Sequence, residues 1–240
     1  MKVNFENLKE LEFKTEEAYK ALRTNISFCG DDIKVIAVTS SVPNEGKSEV
    51  TFHLAKSMAE DGKKTLFIDA DIRKSVTVSR YGVDIETKGL SHYLTGKSKL
   101  EEVIYESNIG NMDVIFTGQV APNPSELLGN TKFTKLLEYA RANYDYVLID
   151  CPPLGSVIDA AVVSKQSDGA VLVIDSDRVS YKALQSVKKQ LEQSGVRILG
   201  AILNKVEAGG KGYGYGYGYG YGYGYGYGYG YGYGDAKGKK

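Results

Sequence analysis

The chain has 240 residues, enough for one substantial core, and its 30 basic and 30 acidic side chains cancel to a formal net charge of zero. Four lysines against two acids fall in residues 207–240, so the remainder is slightly negative and a nucleic-acid partner is excluded as the first expectation. Cys29, Cys151, His53 and His92 lack the spacing of a zinc site, and no apolar run approaches the ~18 residues of a membrane span.

The opening "MKVNFENLKELEFK" has no apolar signal-peptide core, which places the chain in the cytoplasm, with any membrane attachment made through a partner. The first periodic segment, "TEEAYKALRTNI" (15–26), is helical, with Glu17, Lys20 and Arg23 on one face at spacings of three. That spacing alone reads as a solvated face with an intrahelical ion pair. Beyond it, short runs rich in Val, Ile and Leu without strict alternation occur at 33–39, 65–69, 112–116, 146–150, 170–175 and 198–203. Such runs are strands covered on both faces. Between them, helical spacing appears at 48–60, 131–142, 156–166 and 180–194, with Gly62 and Gly195 as helix stops. Residues 80–108 hold two short helical possibilities, "GLSHYLTG" and "KLEEVIYES".

The repeated strand–helix–strand order predicts an α/β domain, a doubly wound and mostly parallel sheet with helices on both faces. Ligands of such sheets bind at the carboxyl ends of the strands, so the residues just after each run carry the chemistry. After 33–39 comes "SVPNEGKS", a close match to G-x-x-x-x-G-K-S with Ser41 in place of the first glycine. Backbone N–H groups cradle phosphates in such a loop, Lys47 reaches the β and γ phosphates, and the Ser48 hydroxyl meets magnesium. Pro43 and Asn44 offset the lost glycine, because one fixes φ and the other tolerates left-handed geometry. Ser41, Pro43, Asn44, Glu45, Gly46, Lys47, Ser48 and Glu49, with Arg73 and Asn204, form the candidate nucleotide set. For Asn204 a base contact and a structural loop role are both open.

Two other strands end in aspartate, which is costly in a core unless a cation compensates it. "TLFIDADIRK" ends on Asp69 and Asp71, and "YVLIDCPP" on Asp150. A parallel sheet gathers all three beside the phosphate loop. Asp150 is then a magnesium ligand through water, with Ser48. The alternation Asp69, Ala70, Asp71 sends both carboxylates to one side if the strand continues, so that one holds metal while the other accepts the proton of an attacking hydroxyl.

"SVPNEGKS", "LFIDADIRK" and "VLIDCPP" closely resemble the Walker A, A′ and B motifs of the bacterial tyrosine kinases, in particular the cytoplasmic type found in capsule and exopolysaccharide clusters. The resemblance spans residues 13–206 and includes "EEAYKALRTN", "GLSHYLTG", "APNPSELL" and "LGAILNKV". It implies a P-loop NTPase-type fold, ATP and Mg²⁺, Asp69 as base and Asp71 at the metal. It also implies ring-like self-association, of which an octamer is one form, through Glu17, Lys20 and Arg23, where the family's middle arginine is a lysine and the bidentate fork is lost. A membrane-embedded modulator docking near the nucleotide is implied as activator.

The resemblance further implies a C-terminal tyrosine cluster that the enzyme phosphorylates. Tyr213, Tyr215, Tyr217, Tyr219, Tyr221, Tyr223, Tyr225, Tyr227, Tyr229, Tyr231 and Tyr233 alternate with glycine. Glycine at every other position makes ordering entropically expensive, so 207–240 is expected to be a disordered tail on a domain of residues 1–206. Its reach of roughly 20–25 Å brings a neighbouring subunit's site within range. Each phosphate adds about 1.5–2 negative charges, and their accumulation is expected to drive converging tails apart and dissociate the ring.

Two rivals stand beside this. Partitioning and division-site ATPases share the fold but carry a signature lysine where Val42 stands, and they lack a tyrosine tail. A nucleotide-switched binding module could stack Gly-Tyr repeats on RNA, but the tail has only four lysines for backbone charge.

Overall fold

The computed structural model describes residues 1–83, 87–176 and 178–206. In chain order these residues form β1 (Lys2–Val3), α1 (Phe13–Ser27), β2 (Val35–Ser40), α2 (Lys47–Glu60), β3 (Thr65–Asp69), α3 (Thr77–Tyr81) and α4 (Leu90–Leu94). A 3₁₀ turn at Leu100–Glu102 leads to β4 (Tyr105–Ser107), β5 (Met112–Ile115), α5 (Pro124–Leu128), α6 (Thr131–Asn143) and β6 (Tyr146–Asp150). The chain continues with α7 (Asp159–Ser164), β7 (Gly169–Asp175), α8 (Tyr181–Ser194) and β8 (Ile198–Asn204). The tail tyrosines Tyr213 to Tyr233 lie outside the described residues.

The strands form an eight-stranded sheet in the order β1-β4-β5-β3-β6-β2-β7-β8. All neighbours are parallel except β4 and β5. Strand periodicity explains the two covered faces. On β2, Val35 and Ala37 join one buried cluster while Ile36 and Val38 join the other. On β3 and β6, Leu66, Ile68, Val147 and Ile149 face the side of α6, α7 and α8, whereas Phe67 and Leu148 meet Phe52, Leu54 and Met58 of α2. Every one of these side chains is fully buried, and each except Ala37 is worth ~1.5–3 kcal/mol relative to exposure.

Helix ends follow local chemistry. Gly62 and Gly195 both take a φ of +79° just past α2 and α8, and Ser180 and Asn130 accept from the N–H groups of Ala183 and Phe133 at the starts of α8 and α6. The helix expected over 156–166 is shorter, starting only at Asp159, because Pro152 and Pro153 hold an irregular exit from β6 that turns at 154–156. The region 80–108 resolves its ambiguity as α4 and the short strand β4, which lies between β1 and β5 and runs antiparallel to β5. Cys29 and Cys151 are free thiols. Among the described residues no helix is long and apolar enough to cross a membrane.

Candidate active site

The loop between β2 and α2 is held from below by polar side chains, of which Glu45 is buried and Lys205 exposed. Asn44 and Gly46 take positive φ values of 69° and 88°, and a Cβ at Gly46 would sit 2.2 Å from Asn204 Nδ2, so only glycine fits there. Ser41, the departure from the motif, is not among the positive-φ residues, so a side chain there adds no backbone strain. A Cβ at Gly155 would lie 2.1 Å from the Ser41 carbonyl oxygen, which is how the exit from β6 passes under the loop.

Glu45 is fully buried. Its Oε2 accepts from the Val42 N–H at 2.7 Å and its Oε1 from the Asp175 N–H at 3.1 Å. Asn204 Nδ2 donates to the Glu45 carbonyl at 2.9 Å, while Lys205 Nζ donates to the Asn44 carbonyl at 2.6 Å and pairs with Asp175 at 2.8 Å. In this structure, then, the Glu45 carboxylate and the Asn204 amide shape the loop from beneath. Pro43 is exposed on its crest. Glu49 is also exposed and pairs with Arg80 of α3 at 3.4 Å, so its carboxylate turns to the α2–α3 surface.

Lys47 lies at the centre of the acids. Its Nζ is 3.3 Å from Asp71 Oδ2, 3.4 Å from Asp150 Oδ1 and 3.1 Å from Ser48 Oγ. Burial alone would weaken its charge, but Asp150, Asp71 and Asp69 together outweigh that and raise its pKa, so the ammonium stays charged. Asp69 and Asp150 face each other in register on adjacent parallel strands, both 1% exposed. Burial, then the Asp150 charge, pushes Asp69 up to about 7 against the opposing hydrogen bonds of Ser75 and Thr77. Asp150 is likewise raised by burial, with Lys47 and Ser48 opposing.

The strand ends at Asp69, so Asp71 is not placed by β alternation. A turn sets it instead, in which the Asp71 N–H donates to Asp69 Oδ1 at 3.2 Å and the Lys74 N–H to Asp71 Oδ1 at 3.1 Å. Asp69 Oδ2 accepts from Ser75 Oγ at 2.5 Å and Thr77 Oγ1 at 2.6 Å. Arg73 anchors the same turn with a bidentate pair to Asp159 on α7, Nε–Oδ2 2.7 Å and Nη2–Oδ1 3.1 Å, and Ser125 Oγ donates to Asp159 Oδ1 at 2.5 Å. Burial would raise Asp159, but these hydrogen bonds override it and lower its pKa.

The donor set of Ser48, Asp71 and Asp150 is made of hard oxygens beside the first N–H groups of α2, which suits Mg²⁺ with a nucleotide phosphate. Among the described residues no three His, Cys, Asp or Glu side chains gather to hold a metal, so phosphate and water would complete the octahedron. On the other side of Asp71 a cleft of about 950 Å³ opens at the carboxyl ends of β3 and β5, lined by Arg73, Lys74, Ser75, Lys88, His92 and Lys97 among others.

Other expected residues lie apart from this centre. On α1, Lys20 pairs with Glu17 at 2.8 Å and Glu16 at 3.4 Å, the intrahelical arrangement that spacing suggested. Arg23 instead ties α1 to the end of α2, donating to the Ser57 carbonyl at 2.8 Å and pairing with Asp61 at 3.0 Å. Asp159, Asp175, Lys205 and the cleft cations Lys74, Lys88 and Lys97 escaped sequence reasoning, since each gains meaning only from its place in the fold.

A family profile described as an AAA domain matches residues 33–199. Tyrosine-protein kinase CpsD of Streptococcus agalactiae is 45% identical over 193 residues, 80% of this chain and 84% of that protein. The kinase domain of the Escherichia coli tyrosine kinase Etk superposes with a TM-score of 0.77 at 40% identity, covering 84% of this chain and 80% of that one. The septum site-determining protein MinD of Pyrococcus horikoshii, complexed with Mg-ADP, shares the fold at 28% identity and a TM-score of 0.62, covering 71% and 70% of the two chains. The division-site likeness is thus one of architecture and nucleotide site, and the nearer sequences are kinases. With its phosphate loop, its three converging aspartates and these relatives, the chain belongs to the bacterial tyrosine-protein kinases.

Proposed function

We propose that this kinase moves the γ-phosphoryl group of ATP onto its own tail tyrosines, Tyr213 to Tyr233, in trans within a homo-oligomer, and so regulates polysaccharide synthesis. The observation that carries this is the meeting of Asp69, Asp71 and Asp150 around Lys47 at the mouth of an open cleft. Nucleotide phosphates take the loop N–H groups and Lys47, while the acceptor phenol approaches Asp71 from the cleft. Bound Mg²⁺, held by Ser48, Asp71 and Asp150, supplies charge neutralisation at the β and γ phosphates.

Asp69 is the base. Because it is 1% exposed, the proton reaches it through Ser75, which lines the cleft and already donates to Asp69 Oδ2. The phenol oxygen bonds to the γ phosphorus as the bond to the β-phosphate oxygen breaks. The phenol proton passes to Ser75 Oγ, whose own proton passes to Asp69, and ADP leaves. Arg73, held by Asp159, keeps the turn in place. Glu17, Lys20 and Arg23 mark the face used between subunits, and a membrane-embedded modulator recruits the cytoplasmic chain to the inner face of the membrane.

The test pairs two chains. An active chain with all eleven tail tyrosines changed to Phe is mixed with a Lys47→Met chain whose tail is intact. Tyrosine phosphate on the Lys47→Met tail is expected; its absence from that tail, while an active chain with an intact tail labels itself, would exclude transfer in trans, and none in the wild type would exclude the kinase.

A further inference from the structure

Past Asp71 the cleft wall is cationic. Arg73, Lys74, Lys88 and Lys97 line it, and Asp71 is the acid among its lining residues. Arg73 is committed to Asp159 and Lys88 pairs with Glu102 at 3.3 Å, whereas Lys74 and Lys97 have no ion pair among the described residues. Their ammonium groups are therefore available to a ligand. His92 Nδ1 accepts from the Gly89 N–H at 3.0 Å, which leaves Nε2 as the ring's donor. Ser98 Oγ in the same wall is buried without a hydrogen-bond partner among the described residues. An excess of donors over acceptors fits an anion with several oxygens.

Position narrows the kind of anion. The cleft and the nucleotide site share Asp71, so the cleft is where an acceptor tyrosine enters, and any role for its cations rests on that reading of the function. Tyrosines recur at every second residue from Tyr213 to Tyr233. Laid extended, such neighbours present their rings to one face about 6–7 Å apart. Pockets of ~300–1,000 Å³ enclose whole drug-sized ligands, so a cleft of about 950 Å³ has room for two adjacent rings. After one transfer, one of the two carries about 1.5–2 negative charges. Against Asp69, Asp71, Asp150 and a nucleotide's phosphates that charge would repel the acceptor, unless cations beside the entry received it.

We propose that the cleft is a phosphotyrosine subsite, in which Lys74, Lys97 and His92 hold the phosphate of a tail tyrosine already modified while a tyrosine two residues away sits at Asp71 for the next transfer. The product of one turnover is then a better substrate for the next. Multiply phosphorylated tails build up while other chains remain unmodified.

The direct experiment titrates the full-length chain, with magnesium and saturating non-hydrolysable ATP analogue, against Gly-Tyr-Gly-Tyr-Gly and the same peptide carrying one phosphotyrosine. The phosphopeptide is expected to bind about tenfold more tightly, an advantage lost in a Lys74→Ala/Lys97→Ala double variant. Equal affinities would overturn the subsite. So would an advantage seen only without the analogue, which would assign the phosphate to the nucleotide loop, or one abolished by equimolar inorganic phosphate, which would make it a general anion site.

A second measurement needs no peptide. Intact mass during autophosphorylation should show unmodified and multiply modified chains together, with few singly modified, and the double variant compared at equal mean phosphate should show one unimodal distribution. A unimodal distribution in the wild type would remove the subsite alone. Absence of any tyrosine phosphate there would remove the kinase reading with it.

Discussion

The two sides of Asp71 are built in opposite ways. On the nucleotide side the loop is fastened by Glu45, Asn204 and Lys205, whose partners are backbone groups of the loop and of β7 and, for Lys205, the Asp175 carboxylate. On the acceptor side the wall consists of short helices and exposed lysines with few fixed partners. A phosphate group has one shape, so its holder can be preorganised, and preorganisation is where electrostatic catalysis comes from. An acceptor that slides from one tyrosine to the next needs charge without a fixed fit. On the proposed reading, one motif, the Asp69–Asp71 turn, serves a rigid site and an adaptable one together.

The strongest way to break the rigid side is Lys47→Met. It removes the phosphate cation and leaves Asp71 and Asp150 without theirs, and phosphotyrosine formation by quantitative mass spectrometry should fall about 10⁴-fold. Asp69→Asn acts on the shared turn and should lower transfer about 10³-fold, with nucleotide affinity by calorimetry changed less than about threefold. Glu45→Gln tests whether the loop is held from below. A glutamine amide nitrogen would face a backbone N–H, so nucleotide should bind about tenfold more weakly.

Asp159→Asn sharpens the account of the turn. It removes the charge that Arg73 pairs with, and because Arg73 is partly solvent-exposed the cost in thermal unfolding should be only ~1–2 kcal/mol, with transfer down several-fold. The smallest effect is expected from Lys20→Ala on exposed α1. The melting temperature should stay within about 1 °C, while the oligomer's mass by light scattering should drop.

The sheet was legible because its central strands are buried on both faces, so β2, β3, β6 and β7 stand out as unbroken apolar runs. The meeting of Asp69 and Asp150 followed from that, since parallel neighbours place strand ends side by side. Glu45 shows the limit. A carboxylate inside a phosphate loop invites reading as a ligand, and only the fold brings it to the Asp175 N–H, 130 residues away in sequence. Asp159 meets Arg73 across 86 residues for the same reason, and the motif around Arg73 says nothing of where its partner lies. The short strand β4 and helix α5 were hidden because a few residues carry too little periodicity. The cleft cations come from separate segments, and no window of sequence contains them together.

The central claim is that phosphate leaving the nucleotide lands on a phenol. Its most direct test follows the γ-phosphate of labelled ATP in the purified full-length chain with magnesium and partitions it between tail tyrosines and water. The account predicts that most of the early label lies on Tyr213 to Tyr233 and that Lys47→Met abolishes it; steady release of inorganic phosphate with unlabelled tyrosines would contradict it.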